Sequence, residues 1–459
     1  MVEIREWKQP GSMADSTTER RPQGTARWHW IARALRHRNY RLFFGGQGIS
    51  LIGTWMTRVA TSWLVYRLTG SAFLLGLVSF SGQIPIFLLG AVAGVWVDRW
   101  NRHRVLVVTQ ILSMLQSFSL AFLALTGVIT VVDIILLNLF QGAVNAFDMP
   151  ARQSFVIEMV EQREDLGNAI ALNSSLVNAA RLIGPSVAGL VIAAVGEGYC
   201  FLIDGFSYMA VIASLLAMRV ALRPAARARQ GVFSEFREGW DYIRGFHPIR
   251  SILLLLALIS LVGMPYTALM PIFAGTILHG GAHTLGFLMA ASGVGALIGA
   301  VKLAARKTVL GLGRVIPLTA AAFGAALIAF AASRWLWLSL LLLLVTGFSF
   351  MQQMAASNTI LQTIAEDKKR GRVMSFYSIA FQGMAPFGSL IAGATASRIG
   401  APYTLMIGGA LCICGATWFA CQLPVIRQLV RPIYVRIGIL PELTTGIETA
   451  SILQEPPED

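Results

Sequence analysis

Charge is what this chain has least of: 23 acidic and 37 basic residues in 459 make 13%, against about 25% in soluble globular proteins. Hydrophobic residues make up 55%, more than one soluble core could bury. Cysteine is scarce too. Cys200, Cys412, Cys414 and Cys421 fall in or at the edge of apolar runs and have the spacing of neither a disulfide framework nor a zinc site. His279 and His283 are separated by Gly280 and Gly281, which reads as a turn and not as a metal-binding helix face. No metal or cofactor is expected. The phosphate-cradling run GxxxxGK followed by Ser or Thr is missing, and no residue set points to covalent catalysis, so neither a nucleotide-driven machine nor an enzyme is indicated. The first 41 residues carry nine basic residues and no apolar core of a signal peptide, and read as a disordered basic tail.

What is present is a succession of apolar runs, each about long enough to cross ~30 Å of hydrocarbon. Twelve candidate spans lie near 42–67, 73–97, 105–126, 129–149, 168–194, 199–218, 251–274, 284–303, 314–333, 335–357, 374–396 and 402–423. The sequence therefore predicts an all-α membrane protein. Of the 37 Lys and Arg, roughly 32 fall in the two tails and the connections after even-numbered spans, which puts both termini in the cytoplasm. Basic residues spread over short loops do not build a nucleic-acid surface, so no nucleic-acid partner is expected in spite of the net charge of +14. A bacterial inner membrane is the simplest location, with the lipid bilayer as partner and a monomer as the simplest unit.

Residues 219–250 are too polar to span and hold seven arginines. Within them Phe233, Phe236, Trp240 and Ile243 recur at helical spacing, with Glu235, Arg237, Glu238, Asp241 and Arg244 between, which predicts an amphipathic helix at the membrane surface. This linker divides the chain into a tail (1–41), a six-helix unit (42–218), the linker (219–250), a second six-helix unit (251–423) and a second tail (424–459). The units are also related. Sliding 167–196 onto 371–400, a shift of 204 without a gap, superimposes Gly167, Gly184, Gly189 and Gly196 on Gly371, Gly388, Gly393 and Gly400. A duplicated unit of this kind predicts two pseudo-symmetric bundles with a cavity between them.

The stretch GVWVDRWNRHR, residues 94 to 104, closes the second span. Gly94 permits close helix approach, Asp98 is placed to face the positive N-terminal end of the eleventh span near Arg370 and Arg372, and Arg99, Arg102 and Arg104 can pair with acids or phosphates. Such a cluster can latch the cytoplasmic side. The stretch resembles the signature of the major facilitator superfamily at that place, with Asn101 where a glycine is expected and His103 where a basic residue is. RNYRLFFGGQ, NAFDMPARQSFV, ARLIGPSVAG and GRVMSFYSIAFQGMAPFGSLIAG extend the resemblance to the exporter branch that contains the enterobactin exporter and related drug-efflux proteins. The resemblance implies twelve helices in two bundles and export of a small molecule. Gly184, Pro185 and Gly189 resemble the antiport motif, with Ala188 in place of one glycine, which implies exchange for protons. Three residues before Gln141 and Gly142 stands Asn138, where many superfamily antiporters have an arginine, so that residue's part in proton transfer does not carry over.

Polar residues inside the spans are the candidate substrate or proton sites: Arg58, Gln141, Asn145, Asp148, Arg181, Asp204, Gln352 and Gln353. A charge at mid-membrane costs at least about 2.5–3.5 kcal/mol and so faces a cavity or a partner. Asp204 is the first choice as proton carrier, ahead of Asp148 and Asp133, and Arg58 can reach its level if their helices adjoin. With two arginines near mid-membrane and no acid at that depth in the expected cavity, an anionic or metal-chelating amphiphile such as a siderophore is the favoured cargo. Phe140 and Trp63 are placed to take its apolar parts. Macrolide-like neutral or cationic drugs, and a receptor or scaffold that transports nothing, are the alternatives.

Overall fold

A computed structural model describes residues 33–440 except 161, 220–231, 307 and 368. The tail at 1–32, the end at 441–459, most of the Arg-rich part of the linker and the side chains of Phe233, Glu235 and Phe236 lie outside the described residues. The described chain is nearly all helix. Its first part comprises α1 (Arg38–Thr69), α2 (Ala72–Arg99), α3 (Arg102–Leu125), α4 (Val131–Met159), α5 (Leu166–Val195) and α6 (Glu197–Leu216). The linker helix α7 (Val232–Gly245) follows. Then come α8 (His247–Ile277), α9 (Ala282–Ala304), α10 (Leu312–Ala332), α11 (Leu336–Ile364), α12 (370–399) and α13 (Ala401–Arg436).

Ten helices among the described residues are long and apolar enough to cross a membrane. The remaining two of the twelve expected, α1 and α12, are as long but more polar; α1 carries Arg58 and a series of hydroxyls within its length. The last helix runs to Arg436, 13 residues beyond the expected span, and takes Arg427 and Arg431 with it. The α8 helix begins at His247, inside the stretch assigned to the linker.

The same helix pairings recur before and after α7. In the first part α1 packs on α5 and α6, α2 on α4, and α3 on α4 and α6. In the second, α8 packs on α12 and α13, α9 on α11, and α10 on α11 and α13. The four glycine pairs of the internal repeat behave alike as well. Gly196 and Gly400 end α5 and α12 at φ +93° and +88°, a backbone that side chains with a Cβ rarely adopt. Gly184 lies flush on α1, where a Cβ would come 2.5 Å from the Trp55 Cβ; Gly388 lies in the same way on α8, 3.0 Å from the Pro265 ring. Gly189 crosses α9, with a Cβ position 3.1 Å from the Gly286 Cα, and Gly393 crosses α2, 2.9 Å from the Gly76 Cα. Gly167 and Gly371 face open space.

These crossings, α5 on α9 and α2 on α12, join the two parts at the end of the bundle away from the chain termini. There Tyr66 Oη and Thr276 Oγ1 are 2.8 Å apart, and Ser79 donates to Ser389 at 3.2 Å. Phe87 and Phe387 meet edge to face nearer the middle, at 5.5 Å. Toward the other end the helices part: Gly90 and Gly94 on α2 have no neighbour within 4 Å of a Cβ position.

At that open end the turn Arg33–Arg36 is fastened to the start of α5. Asp165 accepts from Arg33 at 2.6 Å and lies 3.1 Å from His37, and the Arg33 bond holds its carboxyl below the usual carboxylate range. The α7 helix docks on the start of α12 through Glu238–Arg372 (2.5 Å), Trp240 against Phe376, and Lys369 over the Tyr242 ring, while Ile243 is buried.

Candidate functional site

Trp55 organises the centre of the first part. Because Gly184 has no side chain, α1 lies close enough on α5 for the Trp55 ring to reach Arg181, one turn before that glycine. Arg58, three residues after Trp55, shares its helix face. The Arg58 guanidinium carbon is 4.9 Å from the ring centroid and that of Arg181 5.8 Å. Neither guanidinium has a hydrogen bond or an ion pair among the described residues, and Arg58 is exposed. A Cβ on Gly293 would lie 3.4 Å from the Arg181 carbonyl oxygen, so the pair sits on the seam between α5 and α9. Two cations sharing one ring repel each other, and the ring face offsets only part of that. The arrangement concentrates positive charge with no acid beside it among the described residues.

The other candidates are spread over the first part and α11. Asp204 on α6 accepts from Thr57 (2.8 Å), Ser117 (2.9 Å) and Ser207 (3.4 Å); α1 and α6 do adjoin, but Arg58 turns to Trp55 and Thr57 to the acid. Asp148 is held by Thr109 (2.9 Å), Gln110 (2.7 Å) and the Arg152 guanidinium. Asp133 forms a capping box with Thr130 at the start of α4. Gln141 donates to Ser113 and Asn145, at 3.0 and 3.2 Å, and its buried carbonyl oxygen has no partner among the described residues. On α11, Gln352 donates to the Gly299 carbonyl at 2.8 Å, tying α11 to α9, and Gln353 to Ser357 at 3.3 Å. Trp63 leans on Tyr66 at 5.3 Å, and Phe140 is exposed on α4.

In the GVWVDRWNRHR stretch Asp98, Arg99 and Arg104 are exposed. Arg102 bridges Glu158 (2.5 Å) and Asp98 (3.2 Å), whereas Arg99 and Arg104 are exposed without an ion pair among the described residues. The cations expected opposite Asp98 are taken: Arg370 pairs with Asp367 at 2.6 Å and Arg372 with Glu238.

Residues 31–432 match the family described as "Transmembrane secretion effector". The chain belongs to this branch of the major facilitator superfamily. It is 26% identical over 378 residues to a Staphyloferrin A transporter of Staphylococcus aureus, covering 82% of this chain and 94% of that protein. Against Multidrug efflux pump Tap of Mycolicibacterium fortuitum it is 26% identical, covering 77% and 88%; against Macrolide efflux protein A of Streptococcus pyogenes it is 24% identical, covering 83% and 95%. Among solved structures, the nucleoside transporter NupG superposes with a TM-score of 0.64 at 14% identity, covering 84% of this chain and 98% of that one. A bacterial homolog of the human lysosomal transporter Spinster, inward-facing and unoccupied, gives 0.63 at 14%, covering 88% and 98%. These relatives are transporters, and the chain is a multi-pass membrane protein of a transporter family, not an enzyme.

Several residues that shape this facilitator escaped the sequence reading. Trp55 gave no signal because polar and apolar residues are mixed around α1 without a stripe that marks a face. Asn101, an apparent departure from the family signature, is the N-cap of α3, its side chain accepting from the Arg104 amide at 3.0 Å. An Asn just ahead of an apolar run was the available sign. His103 is bonded to the Leu215 carbonyl at 2.8 Å. Glu197, buried at the start of α6, pairs with Arg67 at 3.0 Å.

Proposed function

We propose that this protein exports an anionic amphiphile of siderophore type across a bacterial inner membrane by alternating access in exchange for protons. In this reading twelve spans form two six-helix halves, both termini are cytoplasmic, and the structure faces the cytoplasm. The observation that carries it is the couple Arg58 and Arg181 on Trp55, without an ion pair among the described residues, at the seam between the halves and with Arg181 midway along α5. A pair of guanidiniums there is costly without a ligand and suited to a carboxylate or catecholate, while the indole accepts an aromatic or aliphatic part. Similarity to a staphyloferrin A transporter supports the same class of cargo. The Gly184, Pro185 and Gly189 motif fits exchange, since Gly184 seats α1 while Pro185 and Gly189 carry the crossing with α9.

Liposomes containing the purified protein are expected to move carboxyfluorescein under an imposed pH gradient, and a cationic rhodamine poorly. A preference for the cation refutes the anion reading in favour of drug efflux. Binding without flux points to a receptor.

The open GVWVDRWNRHR cluster fits the same cycle. Closing the cytoplasmic side brings Asp98 to the start of α12, where the first turn, Arg370, Gly371 and Arg372, has no side-chain cap. Asp98→Asn is expected to slow carboxyfluorescein export about tenfold, the order of one charge-assisted contact. It should also raise labelling of cysteines placed at the cytoplasmic mouth. Unchanged flux and labelling would remove Asp98 from the latch.

A further inference from the structure

We propose that Asp204 is the group that binds and releases the transported proton, at a site enclosed within the first half and separate from the cargo site. This rests on the reading of the protein as a proton-driven exporter. From His247 to Arg436 the sequence holds two acids, Glu366 and Asp367, both in the exposed turn between α11 and α12. A carboxyl that takes up a proton inside the membrane therefore has to lie in α1–α6. Four acids lie along those helices away from the Asp98 and 158–165 connections: Asp133, Asp148, Glu197 and Asp204. Three of them are committed. Asp133 is fixed by its capping box, Glu197 by Arg67, and Asp148 by Arg152 together with the Gln110 amide.

Asp204 differs in the chemistry of its partners. It is 1% exposed, and its oxygens meet the hydroxyls of Thr57, Ser117 and Ser207. An amide NH2 or a guanidinium can only donate, so it holds a carboxyl ionised. A hydroxyl both donates and accepts, and turns to suit either state. Thr57 and Ser117 can thus stabilise a carboxylate with two donated bonds, while Ser207, whose hydrogen goes to the Asp204 backbone carbonyl at 2.7 Å, turns a lone pair to the carboxyl group and can accept the proton of the acid form, with no side chain displaced. The charged and titratable groups facing Asp204 are few. From α6 itself come Cys200 and Tyr208, one turn to either side, and Glu197 beyond Cys200 with its partner Arg67. From α1 comes Arg58, turned away onto Trp55; α3 contributes the neutral Gln116 and Ser117, and α5 only Arg181, also at Trp55. No cation among the described residues pairs with the carboxylate.

Thr57 connects this acid to the cargo site, because it precedes Arg58 on α1. Protonating Asp204 strengthens the positive field at Arg58, so exchange of proton for anion requires an effect on helix packing and not direct competition. The contact for such an effect is Gly53, whose Cβ position is 2.6 Å from an Asp204 carboxyl oxygen. The α1 helix lies against the titrating group itself.

The experiment is an infrared pH titration of the full-length protein in lipid, with carboxyfluorescein flux measured alongside. A protonated-carboxyl band that titrates in wild type, survives in Arg58→Gln and disappears in Asp204→Asn is expected. In flux, Asp204→Asn should lose pH-driven export at least tenfold while keeping exchange of carboxyfluorescein down its own gradient; Asp204→Glu should restore the band and part of the driven flux. Persistence of the titrating band in Asp204→Asn, full pH-driven export by that variant, or loss of both flux modes in a folded variant would overturn the proposal. Failure of the anion reading is seen separately, as wild type that titrates but does not move carboxyfluorescein.

Discussion

Replacing Arg58 by Gln is expected to reduce export of carboxyfluorescein by about 10- to 100-fold, the equivalent of one charge-assisted hydrogen bond of roughly 1.5–3 kcal/mol. Arg181→Gln should act in the same direction and by less, since Arg58 is the more exposed of the two and the nearer to the ring. The effects should not add: both guanidiniums are held by Trp55, and removing one relieves the repulsion on the other. Trp55→Phe retains a ring but a weaker cation–π face, and should cost a few-fold. Leakage of a cationic rhodamine measures the opposite sign. If the pair serves an anion, either Gln variant leaves cation flux unchanged or raises it. Equal loss of both dyes would mean that the arginines support the structure of the α1–α5 seam and not the cargo.

The parts of the fold legible in the sequence were those written in composition or in a fixed spacing. Scarce charge marked a membrane protein, and the glycine register at a shift of 204 marked the internal repeat. In the structure each of those four pairs occupies matching environments. What the sequence left open was direction around a helix. The α1 helix mixes polar and apolar residues on all sides, so nothing in its pattern told that Trp55 and Arg58 look to α5 while Thr57 looks to α6. Asp204 could be picked out as a lone acid in an apolar run, but its hydroxyl partners come from 147 and 87 residues away. Asp98 shows a different limit. In the proposed cycle its expected partner belongs to a closed arrangement, whereas in this structure it pairs with Arg102. A sequence encodes both arrangements at once, so residues that change partners during a cycle read ambiguously.

In the orientation and state proposed above, the crossings of α2 with α12 and of α5 with α9 close the outer side, and their glycines carry the other large expected effect. Gly76 and Gly393 bring the backbones of α2 and α12 together, and Gly189 and Gly286 those of α5 and α9. A side chain at Gly76 would run into the Ser389 carbonyl, which is backbone and cannot swing aside; one at Gly286 would come 2.6 Å from the Pro185 carbonyl oxygen. Gly76→Leu therefore cannot adopt this arrangement without parting the outer ends of the helices. Overpacking of this kind costs about 1–3 kcal/mol, and a cost borne only by the outward-closed state moves the equilibrium between states by up to about 100-fold. Export by Gly76→Leu and by Gly189→Leu should fall by more than about tenfold. Cysteines near Tyr66 and Thr276 should become reactive from outside, while those near Gly94 become protected as the cytoplasmic side closes. Both crossings should respond alike, since they are equivalent in the repeat. The control is Gly94→Leu, at a position with open space in this arrangement, which leaves the outer side closed and can only hinder closure of the inner one. Unaltered accessibility in Gly76→Leu would show that these crossings do not form the outer gate.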